Sequence, residues 1–241
     1  MAASAVDRPS LIQRLVAVSH QARATGGTLP PEPVLATSLG VSRSQLREAL
    51  ARLEGDGLIA RKSRTGTVVN GAALDIQTWL TRQEPFVDTL TRLNLENPTI
   101  ELLSLRFRPM SAEESSYFDQ PAGCGTIDVR KRWRADGTVH MLAEYQVPAP
   151  DARDLSDVTN PAAPVFELAA RLLDSETAWE VARARVEVPS EAMADELEVE
   201  LGTPVFVLDL MGLSSDGTRL YRTVERHVGD AVNYGFVRSF G

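Results

Sequence analysis

The sequence contains few cysteine and histidine residues, which often serve as disulfide partners and metal ligands. Among 241 residues there is one cysteine, Cys124, which excludes an internal disulfide framework and indicates a reducing, cytoplasmic environment. The three histidines are isolated in the sequence, and no His/Cys cluster has metal-ligand spacing, so we expect no metal site. The sequence contains neither a glycine-rich phosphate loop nor an apolar run of membrane-spanning length. We therefore predict no cofactor and no membrane association.

Charge is unevenly distributed along the chain. Residues 1–70 contain nine Lys/Arg and five Asp/Glu, a net charge of +4, whereas residues 71–241 contain sixteen and twenty-eight, a net charge of −12. The length and the 43% of hydrophobic residues are sufficient for two domains with full cores. A small basic module followed by an acidic domain is typical of a nucleic-acid-binding module joined to a regulatory or assembly domain.

A helix is predicted between Val41 and Asp56, after Ser42 as its N-cap. Its apolar residues have the i, i+3, i+4, i+7 spacing of a helix with one buried side: Leu46, Ala49, Leu50 and Leu53. Polar residues crowd its first turn and a half: Arg43, Ser44, Gln45 and Arg47. The second helix of a helix-turn-helix presents base-reading side chains to the major groove from this part. An ordinary amphipathic helix with solvated charges is the alternative.

The neighbouring segments favour the helix-turn-helix. One helix is predicted from Ser10 to the Thr25-Gly26-Gly27 breaker, and a short one from Pro30-Pro31 to Gly40. After the third helix, two β-like runs, Leu58–Arg61 and Thr67–Val69, enclose a basic tip that contains Arg64. A basic hairpin beside a recognition helix is a wing, whose expected role is contact with phosphates or the minor groove.

Residues 10–70 resemble the GntR-type winged helix-turn-helix regulators. The matching stretches are GTLPPE at 27–32, LA and LGVSR within 35–43, LREAL and GLI within 46–59, and GTVV at 66–69. The resemblance implies a DNA-binding surface made by Glu32, Ser42, Arg43, Ser44, Gln45, Arg47, Arg64, Thr65, Gly66 and Thr67. Two positions depart from the family pattern: Pro33 replaces an arginine after the glutamate, and Arg64 replaces a wing glycine. We therefore expect an altered sequence preference and an unchanged docking mode.

The remainder of the chain predicts an α+β domain with an antiparallel sheet. A helical stretch is expected between Leu74 and Leu95. Strands are predicted at Pro98–Pro109, Thr126–Ala135, Val139–Pro148, Thr203–Leu213 and Arg219–Val228, and helices at Ser111–Phe118, Pro164–Asp174 and 190–197. Pro109 and Asp136-Gly137-Thr138 recur 80 residues later as Pro189 and Asp216-Gly217-Thr218. This offset predicts a duplicated helix–hairpin unit that builds one sheet.

Three segments here resemble the UTRA effector-binding domain of the HutC subfamily, which has a chorismate-lyase-like fold. They are RWRADG and AEYQVP at 132–137 and 143–148, and LGTPVF at 201–206. In that family two arginines before the Ala-Asp-Gly turn hold an anionic group, commonly of a sugar phosphate or an organic acid. They match Arg132 and Arg134, which lie two apart and so share one face of a strand. The resemblance adds Glu144, Glu225 and Tyr234 to the effector site.

A serine that often holds the phosphate in this family is missing, because Ala162-Ala163-Pro164 occupies that position. For the two arginines, a solvated sheet face is the alternative. The expected domains are a winged helix-turn-helix at 1–70, a linker at 71–80 and a UTRA effector-binding and dimerisation domain at 81–241.

Together these observations predict a homodimeric, cytoplasmic transcription regulator, a repressor. Its affinity for a double-stranded DNA operator would change when a small anionic metabolite, a phosphosugar or a carboxylic acid, binds the second domain. We expect a dimer because a single winged module reads too few base pairs. Two alternatives remain: a regulator with a ligand-blind dimerisation domain, and an enzyme of chorismate-lyase-like fold. No nucleophile–base pair supports the enzyme, so no catalytic residue is predicted.

Overall fold

The structure, a computed structural model, describes residues 10–62, 64–76, 78–80, 84–150, 160, 163–229 and 232–238. It divides into two compact units: unit 1 is Met1–Gln83 with Asn233–Gly241, and unit 2 is Glu84–Val232. The residues predicted to form the linker, 71–80, belong to unit 1, and Ala73 and Leu74 lie in its core. The described residues after Asn233 also belong to unit 1, although the sequence assigned them to the second domain.

Unit 1 is built around three helices: α1 (Leu11–Ala24), α2 (Glu32–Leu39) and α3 (Arg43–Gly55). The predicted helices are confirmed, and local signals explain where they begin and end. Ser10 and Ser42 each form a capping box with the glutamine three residues later. Gly40 ends α2 with a φ of 63°, a left-handed conformation that glycine adopts without strain. The helices enclose fully buried leucines: Leu15, Leu35, Leu46, Leu50 and Leu53.

A β-hairpin follows α3, as the sequence predicts for a wing. It consists of β1 (Ile59–Lys62) and β2 (Gly66–Val69), which are antiparallel. Next come a one-turn helix, α4 (Gly71–Leu74), and β3 (Thr78–Trp79), which pairs in parallel with the last strand, β10 (Tyr234–Gly235). The helical stretch expected between Leu74 and Leu95, partly linker and partly the first helix of the next domain, is confirmed only in its second part, since Thr78–Trp79 form a strand. Pro85 restricts the residue before it to extended conformations, and α5 (Phe86–Arg92) begins only after it.

Unit 2 contains a six-stranded antiparallel sheet in the order β4-β5-β6-β9-β8-β7. The elements are β4 (Thr99–Pro109), α6 (Ala112–Phe118), β5 (Gly125–Ala135), β6 (Thr138–Pro148), α7 (Val165–Leu173), β7 (Trp179–Glu187), α8 (Glu191–Leu197), β8 (Val205–Leu213) and β9 (Arg219–His227). The five predicted strands are confirmed. The prediction lacked β7, which begins 80 residues after β4. The repeated unit is therefore strand, helix and hairpin.

The strand pairing shows the pseudo-symmetry of this repeat. In the central pair of strands, Glu144 of β6 lies opposite Val224 of β9, and these two residues are themselves 80 positions apart. The pseudo-twofold axis therefore passes through this pair. Helices α5 and α7 contribute Leu90, Leu168 and Ala169 to a core on one side of the sheet, which we call the α7 face. Helix α8 contributes Leu197 to a smaller core on the opposite side, the α8 face.

Candidate functional sites

The start of α3 is fixed by two of the residues predicted to contact DNA. The Gln45 backbone N–H donates to Ser42 Oγ at 3.2 Å, and the Ser42 N–H donates to Gln45 Oε1 at 3.0 Å. Ser44 Oγ lies 3.0 Å from the same Ser42 hydroxyl. Since these groups are engaged in capping, they set the position of the helix start. The longer side chains of Arg43 and Arg47, both exposed on α3, have the reach for base contacts.

An ion pair joins α2 to α3 on this surface. Arg47 Nε donates to Glu32 Oε2 at 2.9 Å, while 69% of the Arg47 side chain stays exposed. A carboxylate repels phosphate, so contact with DNA from this ion pair would have to come from Arg47, not from Glu32. Pro33, which replaces the family arginine, lines a concavity of about 450 Å³ together with Thr37 and Arg43.

The wing presents a basic tip with an unusual backbone. Lys62, Arg64, Thr65 and Gly66 are exposed, and Arg64 has a φ of 70° and Gly66 a φ of 87°. A left-handed conformation costs an L-residue roughly 1–2 kcal/mol, so Arg64 is strained where a glycine would not be. Close to the tip, the Arg61 backbone N–H donates to Glu54 Oε1 of α3 at 2.9 Å. This bond ties the wing to the recognition helix. Thr67, in β2, accepts through its carbonyl from the Leu29 N–H at 2.8 Å.

Arg132 and Arg134 share one face of β5, as predicted, but both already bind acceptors within unit 2. Arg132 Nε donates to Glu101 Oε2 at 2.8 Å, and its Nη1 donates to the Glu196 carbonyl at 3.0 Å. Arg134 Nη2 donates to Glu198 Oε2 at 2.8 Å. Glu198 is the C-cap of α8, where the helix dipole favours cations. The two guanidinium groups therefore hold the carboxyl end of α8 on the α8 face.

The other predicted effector residues lie in three different places. Glu144 is on the α8 face, where it accepts from Arg130 at 3.0 Å and from Arg226 at 2.7 Å. Glu225 follows Val224 in β9 and so faces the opposite side of the sheet. Tyr234 belongs to β10 in unit 1. Three of the five predicted residues thus share a face. The position that was expected to hold a phosphate comprises Ala162, Ala163 and Pro164. Of these three residues, Ala162 lies outside the described part of the chain.

A different set of polar side chains lies together on the α7 face. The α7-face cluster consists of Lys131, Tyr145, Glu180, Tyr221, Thr223, Glu225 and His227. Strand pairing brings them together. Ala143 of β6 pairs with Lys131 of β5 on one side and with Glu225 of β9 on the other, and Tyr145, two residues further along β6, pairs with Thr223 of β9. This cluster was not predicted from the sequence. Its signal was Lys131, which lies between the apolar Val129 and Trp133 on the same face of β5.

Lys131 is nearly fully buried, with 4% of its surface exposed. Its Nζ donates to the Ala163 carbonyl at 2.6 Å, next to the start of α7, and lies 5.1 Å from the centre of the Tyr145 ring. Burial lowers the pKa of Lys131 to about 8, because a charged ammonium loses hydration there. The α7 face therefore holds a buried cation beside a helix N-terminus, where an anionic group is favoured.

At the other end of the cluster, Tyr221 Oη donates to Glu180 Oε2 at 2.7 Å. The Tyr221 ring lies across Gly212 of β8, where a Cβ would overlap it. Burial raises the pKa of Glu180 and of Tyr221. Glu225 Oε2 lies 3.2 Å from His227 Nε2.

In the part of the chain that the structure describes, no helix is long and apolar enough to cross a membrane. Among the same residues, no group of three or more acidic, His or Cys side chains is placed to hold a metal ion.

Two family models match the chain. The model of bacterial regulatory proteins of the gntR family matches residues 17–69, which include the second half of α1, all of α2 and α3, and the wing. The UTRA domain model matches residues 95–233, more than half of the chain and all six strands of the sheet of unit 2. The chain belongs to the GntR family. This GntR-family regulator has the two-part architecture of a helix-turn-helix region followed by a UTRA domain.

Individual proteins agree with this assignment. The uncharacterized HTH-type transcriptional regulator Rv0494 of Mycobacterium tuberculosis is 36% identical over 110 residues, which is 43% of this chain and 43% of that protein. The alignment thus spans less than half of the relative. Among solved structures, PhnF from Mycobacterium smegmatis has a TM-score of 0.59 and 19% identity, and covers 92% of this chain and 99% of its own. The possible regulator YydK from Bacillus subtilis has a TM-score of 0.68 and 16% identity over 95% and 99%. These two structures support the fold.

Proposed function

We propose that this chain is a homodimeric, cytoplasmic repressor that binds a double-stranded DNA operator through unit 1 and changes its operator affinity when a small molecule binds unit 2. The observation that carries the DNA-binding part is the surface around the start of α3. There Arg43 and Arg47 are exposed beside a wing whose tip carries Lys62 and Arg64. The net charge of +4 of residues 1–70 favours approach to DNA.

The two kinds of cation have different roles in this proposal. Arg43 or Arg47 makes a bidentate contact with guanine, which discriminates against other bases by roughly 1–3 kcal/mol. Lys62 and Arg64 bind phosphates, so their contribution is independent of sequence and weakens with salt. Two copies related by a twofold axis read two half-sites.

For the effector, we place the site on the α7 face. An anion at Arg132 and Arg134 would have to displace Glu101 and Glu198, which already occupy those guanidinium groups. Lys131 lies at the start of α7 with its ammonium group donating to Ala163. A phosphate or carboxylate of the effector would meet this buried cation. Binding that favours one of two conformations changes operator affinity, typically by 1–3 kcal/mol of coupling.

The DNA-binding proposal is tested with Arg47→Ala and, as a matched control, Arg171→Ala, which removes an exposed arginine of α7 in unit 2. Affinities are measured for an operator selected from random duplexes and for a shuffled duplex. We expect Arg47→Ala to lose operator affinity by about 5- to 150-fold, the equivalent of one bidentate base contact, and Arg171→Ala to bind normally. Unchanged operator affinity of a folded Arg47→Ala protein would refute this placement of the recognition helix.

A further inference from the structure

The two ends of the α7-face cluster have opposite charge. Lys131 is the cation at the β5 end. Glu180 and Glu225 face the same side of the sheet from β7 and β9, because paired residues share a face. Glu180 is linked through Gly212 of β8 to Tyr221 of β9. Glu225 pairs with Ala143 of β6, which lies in the core on the α7 face. Strands β5 and β9 are two strand spacings apart, about 10 Å. This is the length of a small metabolite.

Both carboxylates retain capacity to accept hydrogen bonds. Glu180 accepts from Tyr221 Oη, and Glu225 faces His227, and each contact uses one oxygen, Oε2. An ionised carboxylate accepts at both of its oxygens. Burial also raises the pKa of Glu180, because ionisation in a poorly hydrated place is unfavourable. A positively charged partner would offset that cost.

A third acceptor between them lacks a partner. Thr223 lies between Tyr221 and Glu225 in β9 on the same face, and only 2% of its surface is exposed. Its Oγ1 is buried and has no hydrogen-bond partner among the described residues. Leaving such a group unsatisfied is unfavourable, and a native protein that tolerates it often reserves the group for a ligand, ion or water. This hydroxyl is an observation independent of the carboxylates.

We propose that the effector carries an ammonium group, which donates one N–H to each of three acceptors: Glu180, Glu225 and the Thr223 hydroxyl. An ammonium group has three donors, so it matches the acceptors in number and is opposite in sign to the two carboxylates. This inference rests on the proposed effector site on the α7 face, where Lys131 takes the anionic end of the same molecule. The ligand class is a small zwitterion, an amino acid or another amino-substituted acid.

The test is the melting temperature of the full chain against four sets of compounds with matched carbon skeletons. They are amino acids with α- or ω-amino groups, dicarboxylic acids, alkyl and sugar phosphates, and diols. A ligand in excess of its dissociation constant raises the melting temperature by mass action. We expect a rise with amino-substituted acids and none with the matched compounds that lack an ammonium group.

Variants then separate binding from folding. Glu180→Gln and Glu225→Gln keep the side-chain shape and should raise the dissociation constant by about 10- to 100-fold, the worth of a hydrogen bond to a charged group. Glu191→Gln, which neutralises an exposed residue of α8, should bind normally. If either variant fails to fold, Thr223→Val provides the same test without a charge change.

Two results would overturn the inference. One is a rise in melting temperature with a phosphate or dicarboxylate that lacks an ammonium group, abolished by Lys131→Met; it would leave the proposed effector site intact. The other is no response to any amino-substituted acid. The DNA-binding proposal is judged separately, by the operator affinity of Arg47→Ala, so the two failures are distinguishable.

Discussion

Replacing Glu32 with glutamine should reduce the specificity of DNA binding with little effect on stability. Glu32 Oε2 accepts from Arg47 Nε at 2.9 Å, and the arginine side chain is 69% exposed. An exposed ion pair contributes roughly 0–1 kcal/mol to stability. Since 1 kcal/mol corresponds to about 2–4 °C in a chain of this size, the melting temperature of Glu32→Gln should fall by no more than that.

The effect on DNA is larger because Arg47 is the proposed base-reading group. Without the carboxylate, the guanidinium samples several rotamers and must be ordered on binding, at a cost of about 0.5–1.5 kcal/mol. Operator affinity should therefore fall by about 2- to 13-fold. Affinity for shuffled DNA should rise slightly, because one negative charge near the phosphates is removed. The ratio of operator to shuffled affinity thus falls on both counts.

The assay is fluorescence anisotropy with operator and shuffled duplexes at one fixed salt concentration. The proteins are the wild type, Glu32→Gln, Arg47→Ala and the double variant. If Glu32 acts by positioning Arg47, its substitution has no further effect on specificity in the Arg47→Ala background. An equal loss of specificity in both backgrounds, or a wild-type ratio in Glu32→Gln, would refute this role.

Three further predictions concern the wing and the sheet. Arg64→Gly and Arg64→Ala should both weaken binding to DNA of any sequence and reduce the salt dependence of binding by about one phosphate contact. Arg64→Gly should have a higher melting temperature than Arg64→Ala, because only glycine adopts the φ of 70° without strain. Equal melting temperatures of the two variants would contradict the strain. Gly212→Ala should destabilise the fold by about 1–3 kcal/mol, since its Cβ would overlap Tyr221, whereas Gly55→Ala, with open space around it, should not lower the stability in urea titrations. Burial raises the pKa of Glu180 above its ordinary value of 4.5, so its ionisation reduces stability as pH rises through the raised value. Without ligand, Glu180→Gln should therefore be more stable than wild type at neutral pH and lose this advantage below about pH 4; an advantage that persists in acid would contradict the shift.

The helices and wing of unit 1 follow from local signals. Ser42 with Gln45 defines the start of α3, and Gly40 defines the end of α2; these signals lie within a few residues of the structure they determine. The same holds for the hairpin at Asp136-Gly137, whose positive φ values of 50° and 75° suit a two-residue turn. Such features are predictable from the sequence because their physical causes are short-range.

The features that were not predicted depend on long-range contacts or lie at the edge of the sheet. Strand β7 was not predicted because it lies at an edge and exposes Trp179, Val181 and Val186, so burial imposes no simple alternation on it. The offset of 80 residues from β4 would have found it. The two-residue spacing correctly places Arg132 and Arg134 on one face. Their partners Glu101 and Glu198 lie 31 and 64 residues away, and spacing within a strand carries no information about them.

The α7-face cluster could not be predicted from the sequence for a similar reason. Its members come from β5, β6, β7 and β9, and only the strand register brings Lys131, Tyr145 and Thr223 to neighbouring positions. A one-residue shift in that register would send the same side chains to the opposite face. Tyr234, in contrast, was assigned to the effector site by family resemblance, and it pairs with Thr78 in unit 1.

The most direct test of the central claim, that this chain reads a DNA sequence as a dimer through α3, is selection from a random duplex library with the full-length protein. We expect enrichment of a two-fold symmetric sequence, with one conserved base pair in each half-site that is no longer selected by Arg47→Ala. Failure of the wild-type protein to enrich any sequence over the starting library would contradict it.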